Sequence, residues 1–222
     1  MIDLQAAEKA RVVHHRLMEL YGSPEWRLPL TGIDELVSTI LSQNTNDRNR
    51  DVAFFALKLA FPDWEAVRDA EPRAVVDAIR PAGLANQKGP RIQAVLQQIS
   101  AERGSLDLSF LKDWPVEQAH AWLTKFNGVG PKTAAIVLLF ALGIPAFPVD
   151  THIYRVSGRL GLRPDKMTVE QAHDFLAALF PPAEYGPAHL NLIRLGREIC
   201  HARKPDCPAC PLQDVCNYYQ NL

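Results

Sequence analysis

Three groups of residues in this sequence have the types and spacing to do chemistry. Lys132 follows Gly128-Val129-Gly130-Pro131 and precedes Thr133-Ala134-Ala135. Asp150 lies in Pro148-Val149-Asp150-Thr151-His152, ahead of an apolar-periodic segment. The only four cysteines of the chain fall in one short stretch, spaced Cys200-x6-Cys207-x2-Cys210-x5-Cys216.

An apolar helix, a Gly-Val-Gly turn and a second helix opening with Pro-Lys-Thr is the sequence form of a helix–hairpin–helix. Gly128 and Gly130 permit positive φ and close approach of a ligand to the backbone. Pro131 suits the first helical position, where its missing N–H costs nothing. The free N–H groups that begin the second helix suit a phosphate oxygen. Taken alone, the turn reads equally well as a glycine-containing connection between packed helices. Lys132 would stand at the positive end of a helix dipole, which disfavours an ammonium. A lysine nucleophile needs its neutral amine, so the placement makes chemical sense. The alternative is an exposed lysine that contacts a phosphate.

Asp150 has the position of an N-cap residue. A functional reading directs its carboxylate towards Lys132, to stabilise positive charge on a sugar and assist proton transfer. The two roles are compatible. The clustered thiols point to a metal site rather than to disulfides spread over a fold. Zinc knuckles usually come as two C-x2-4-C pairs, and only one such pair is present. Four thiolates on one compact loop suit an iron–sulfur cluster, with structural zinc as the alternative. Arg203 and Lys204, between the first two cysteines, form a small basic patch that either touches phosphates or is solvated.

The elements that must carry these groups read as helices throughout. Ile33, Leu36, Val37, Ile40 and Leu41 fall at helical spacing and mark one buried stripe. Similar stripes run through 4–20, 52–61, 92–99, 116–123, 133–142 and 175–180, separated by short Gly/Pro punctuation. Strand-like alternation is absent, which predicts an all-α fold with short connections. Of the 222 residues, 47% are hydrophobic and 22% charged, the profile of an ordinary globular chain. No apolar run reaches bilayer length, so no membrane partner is expected. Met1-Ile2-Asp3-Leu4 lacks the basic-then-apolar layout of a secretory leader, and the protein is read as cytoplasmic, in a bacterial or archaeal nucleoid setting. The net charge of −1 weighs mildly against a nucleic-acid partner, although a local basic face can be offset elsewhere.

The Lys132 hairpin, Val149-Asp150-Thr151-His152 and the C-x6-C-x2-C-x5-C tail together resemble endonuclease III, a DNA glycosylase of the helix–hairpin–helix superfamily. The similarity covers nearly the whole chain, with 36–47 and Gly83-Leu84 resembling the family's two DNA-inserting segments. Leu192-Ile193-Arg194-Leu195-Gly196-Arg197 resembles the helix that leads into the cluster. The resemblance implies two lobes, a helical bundle over 24–144 and a second lobe joining 1–23 to 145–222. It implies a four-iron four-sulfur cluster on Cys200, Cys207, Cys210 and Cys216, and a monomer acting on damaged double-stranded DNA. DNA contacts would come from Gln43, Asn44, Leu84, Gly128, Gly130, His152, Arg203 and Lys204. The damaged nucleotide would be flipped out of the stack into a cleft. Lys132 would be the nucleophile of a bifunctional glycosylase and lyase acting on oxidised pyrimidines, and Asp150 the carboxylate that supports it. Related adenine glycosylases share the cluster but lack the lysine. A DNA-binding protein without activity, or a monofunctional mismatch or uracil-type glycosylase, are the other readings. The chain departs from the family where Asn44 replaces the usual Gln and where Ala85 replaces the aromatic residue after the wedge leucine.

Overall fold

The computed structural model describes residues 4–25 and 30–222, so the reading of Met1-Ile2-Asp3 lies outside the described residues. Among the described residues there are helices and turns but no strand. The chain divides into two compact units, Met1–Leu28 with Pro145–Leu222, and Pro29–Ile144.

The Pro29–Ile144 unit is built round α2 (Gly32–Ser42). Its expected stripe is buried, but so are Gly32, Glu35, Ser38 and Thr39 on the remaining faces. A helix buried on nearly every side is the centre of a bundle rather than one of its walls. The wall is formed by α3 (Asp47–Ala60), α4 (Trp64–Asp69), α5 (Pro72–Ala78), α6 (Ala85–Arg103), α7 (Val116–Thr124) and α8 (Pro131–Ile136). The polar members of the core are matched locally, as where the Thr39 hydroxyl donates to Glu35 Oε1 at 3.0 Å.

The stripe expected over 133–142 is not one regular helix. α8 gives way at Val137 to a π turn running to Ala141, where the Leu142 N–H donates to Val137 O, five residues back, at 3.2 Å. Such turns are rare and tend to occur near functional sites.

The other unit holds α1 (Leu4–Tyr21), α9 (Thr151–Leu160), α10 (Val169–Ala177), α11 (Tyr185–Glu198) and a short α12 (Asn217–Gln220). The stripe expected to reach Phe180 is helical only to Ala177. Phe180 stands before Pro181, which disfavours helical geometry there, and its ring stacks on Phe147 with centroids 5.3 Å apart. α1 is fastened to the end of the chain by Lys9, which donates to Leu160 O and Asn217 Oδ1, and by an Arg16–Asp214 ion pair.

Asp34 closes a capping box with Thr31 at the start of α2 and also accepts from Trp64 Nε1 at 2.9 Å and Lys58 Nζ at 3.2 Å. Burial acts to raise its carboxyl, but the donors Thr31, Lys58 and Trp64 outweigh burial and hold it below the usual range. Its stabilisation is therefore present above the ordinary carboxylate range and is lost as pH falls through the lower folded value. Asp34→Ala is expected to cost about 1–2 kcal/mol at neutral pH. Thermal melts should show this gap closing below about pH 4.

Candidate active site and cysteine loop

The hairpin runs from α7 through buried Phe126, exposed Asn127, Gly128 and buried Val129 to Gly130, the N-cap of α8. Gly128 has φ +88, and a Cβ there would lie 2.0 Å from Arg91 Cδ. Both the left-handed backbone and the passage of Arg91 therefore require glycine. Gly130 differs from expectation, with φ −88 and ψ 177, which any residue adopts. Nothing lies within 4 Å of the Cβ position at Gly130, so its smallness leaves open space ahead of α8.

Pro131 takes the first position of α8 as expected. The Ala134 N–H donates to Gly130 O, which leaves the amides of Lys132 and Thr133 ahead of the helical ladder. Lys132 is half-buried, and Thr133 to Leu138 behind it are buried. Lys132 thus stands on a well-packed helical turn, two residues from the open position at Gly130.

Gln43 and Asn44, paired in the sequence, separate in the structure. Gln43 Nε2 donates to Gly128 O at 3.0 Å, and its Oε1 accepts from Arg91 Nη1 at 3.0 Å. Both ends of this amide tie the α2–α3 loop to the hairpin. Asn44 is exposed and left-handed, with φ 52. Leu84, which caps α6, is also left-handed, with φ 50, and is 47% exposed although apolar. Lys204 is the third non-glycine residue with positive φ among the described residues, and it is exposed beside Arg203. Strained backbone of this kind concentrates at functional positions.

In the other unit, Asp150 caps α9, with Oδ1 accepting from the Ile153 N–H at 2.8 Å. Oδ2 takes no part in that cap. The approach to Asp150 is clamped by two buried histidines that sequence reasoning missed. His173 Nδ1 contacts Phe147 O at 3.0 Å and His189 Nδ1 contacts Pro148 O at 2.9 Å. Each bond to a carbonyl assigns the proton to Nδ1. A lone histidine among apolar residues carries no signal that would have found them.

His152, two residues on, is half-buried with Nδ1 3.2 Å from Arg155 Nη2. Arg155 also donates to Cys200 O at 3.0 Å and Gly196 O at 2.8 Å. A Cβ at Gly196 would come within 2.9 Å of His152 Cβ, so this glycine sets how closely α11 approaches α9. One turn further, Arg159 Nη1 donates to Cys200 Sγ at 3.3 Å and to His201 O at 2.6 Å. A single ten-residue helix therefore carries Asp150 at one end and grips the cysteine loop with the other.

All four cysteines are free thiols and line one cavity, together with Val156, Leu160, Leu195 and Ile199. Among the described residues no three His, Cys, Asp or Glu side chains converge as ligands of a single ion. A cavity lined by four thiols fits the soft-ligand chemistry of an iron–sulfur cluster. Burial pushes the Cys207 and Cys210 thiols up, and the neighbouring cysteines push them further. Four thiolates in this pocket therefore call for a cationic core, which a four-iron four-sulfur cluster supplies. Gln213 Nε2 braces the loop by donating to Cys207 O and Pro208 O.

Residues 37–182 match the profile of the HhH-GPD superfamily of base excision DNA repair proteins, and 200–216 match the iron–sulfur binding domain of endonuclease III. The chain belongs to the HhH-GPD superfamily and, within it, to the endonuclease III family. It is 34% identical to the endonuclease III of Sulfolobus acidocaldarius, over 83% of this chain and 81% of that one. It is 43% identical to a putative DNA glycosylase of Arabidopsis thaliana, over 60% of this chain but only 45% of that longer protein. The fold is that of a trapped endonuclease III–DNA covalent intermediate, with a TM-score of 0.83, 25% identity and 97% of each chain covered.

The two hairpin glycines should respond differently to substitution. Gly128→Ala is expected to cost about 1–3 kcal/mol, from backbone strain and the displaced Arg91. Gly130→Ala should leave the denaturant midpoint unchanged.

Proposed function

We propose that this chain is a bifunctional DNA glycosylase and abasic-site lyase of base excision repair, acting as a monomer on oxidised pyrimidines in double-stranded DNA. In this reading the Pro29–Ile144 unit supplies the nucleophile and the loops that enter the duplex. The other unit supplies the carboxylate and the cluster. The observation that carries the reading is a half-buried lysine in the first turn of α8, beside open space at Gly130.

The chemistry follows from those groups. The Lys132 amine attacks C1′ of the extruded nucleotide as the C1′–N bond to the base breaks, with the electron pair leaving on the base. Asp150, through its uncapped oxygen, offsets the positive charge that builds on the sugar. A proton passes from Nζ to O4′ as the C1′–O4′ bond breaks, which opens the ring and leaves an iminium between Nζ and C1′. The iminium acidifies the C2′ proton, and its loss expels the 3′ phosphate by β-elimination. The amide groups that begin α8 and the basic pair Arg203 and Lys204 bind phosphate oxygens. Asn44 and Leu84 enter the duplex, and Gly128, Gly130 and His152 line the contact with the strand. Cys200, Cys207, Cys210 and Cys216 hold the cluster, which fixes the loop that carries Arg203 and Lys204.

Borohydride reduction tests the reading. The protein should become covalently linked to DNA carrying a thymine glycol or an abasic site, and Lys132→Ala should abolish linkage while leaving affinity intact. Asp150→Asn is expected to slow base release by about 100-fold or more. Absence of both trapped product and released base across a panel of lesions would leave a DNA-binding protein without activity. Release of free base with an intact strand would identify a monofunctional glycosylase. For the cluster, the purified protein should be brown and contain iron and acid-labile sulfide, and Cys210→Ala should lose both. A colourless, zinc-loaded protein would overturn that assignment.

A further inference from the structure

Lys88 has no part in the chemistry above, yet it is one of the largest fully buried side chains, at 1% exposure. An ammonium is a costly filler for a core unless its protons are matched. Here Nζ donates to Leu41 O at 2.8 Å and to Ala82 O at 2.8 Å. The two carbonyls belong to different segments. Leu41 lies in the last turn of α2, where carbonyls have no helical partner, three residues before Asn44. Ala82 ends the short turn before Gly83 and Leu84, two residues before the second left-handed tip. One buried cation therefore links the stems of both exposed tips.

A second contact from the same helix points the same way. Arg91, one turn along α6, grips Gln43 of the first loop, and Gln43 grips Gly128 O of the hairpin. Burial drives the Lys88 ammonium down, and Arg91 adds to that, so the charge is held against a real cost. A methionine would fill the same volume without that cost. What it would lack is the bond to two carbonyls at a fixed separation.

We infer that Lys88 is a positioning residue that spaces the Asn44 loop from the Leu84 loop, so that both tips enter the duplex in register. The inference rests on the proposed DNA-repair function and extends it to a residue that touches neither DNA nor the reacting atoms. It makes Lys88 matter for duplex substrates, where insertion is needed, and not for single strands, where no stack has to be opened.

The test compares Lys88→Met with the wild type on the same abasic site in duplex and in single-stranded oligonucleotide, by borohydride trapping and strand cleavage. Lys88→Met should lose about 100-fold in kcat/KM on duplex, the scale of an ångström-sized misplacement. It should stay within about twofold on the single strand. A 2-aminopurine beside the site should brighten on wild-type binding and not on variant binding. In a Leu84→Ala background the duplex loss from Lys88→Met should largely vanish, because the two act as one unit. Equal losses on both substrates, or no loss on duplex, would overturn the inference. If Lys88→Met does not fold, Lys88→Arg keeps the charge with altered reach. It should show the same duplex-only loss, and equal losses on both substrates relative to wild type would again overturn the inference. Failure of the wild type to trap on abasic DNA in either form would instead remove the lyase reading itself.

Discussion

Lys132 stands on the first turn of α8, and an amine on a four-carbon stem is placed only as well as the turn beneath it. That turn cannot shift easily. Thr133 to Leu138 are buried behind it, and the hairpin in front is closed against Arg91 at Gly128. Gln43 then fastens the hairpin carbonyl to the loop after α2. Lysine carries about 2 kcal/mol of rotamer entropy. A fixed base and a half-buried stem reduce how much of it must be lost at each turnover.

The carboxylate is held by different means for the same reason. Asp150 is fixed from behind by two imidazoles on consecutive carbonyls and from ahead by its own capping bond. The helix that begins at Asp150 ends in the arginine that meets the Cys200 sulfur. A guanidinium beside thiolate ligands stabilises the anionic side of a cluster site, and the loaded loop in turn gives Arg155 and Arg159 fixed carbonyls to hold. A cluster held by this loop would brace α9 through the same two arginines.

Much of this was legible in the residues, and the limits follow a physical pattern. Turn glycines, a helix-opening proline, a capping aspartate and clustered thiols each act through local backbone geometry or ligand chemistry, so their positions show in the sequence. Gly130 keeps one of its two expected reasons, since its backbone is not left-handed while the space at its Cβ position stays open. Gln43 and Asn44 look equivalent as neighbouring amides, but a loop turns one inward and the other outward. Lys88, His173 and His189 were not legible at all. Their partners are main-chain carbonyls far along the chain, which leave no mark on residue type. Glu35, Ser38 and Thr39 escaped notice because a helix surrounded on nearly every side buries its polar face as well.

The unit that carries Asp150 is assembled from both ends of the chain. α1 has its partners in Leu160, Asn191, Asp214 and Asn217, while everything from Pro29 to Ile144 forms a separate unit. Because α1 packs against residues from Leu160 onward, that unit can close only after Pro29–Ile144 has been synthesised. The cysteine loop lies in that later-closing unit, so the four thiols come together only after the segment that carries Lys132 has been made.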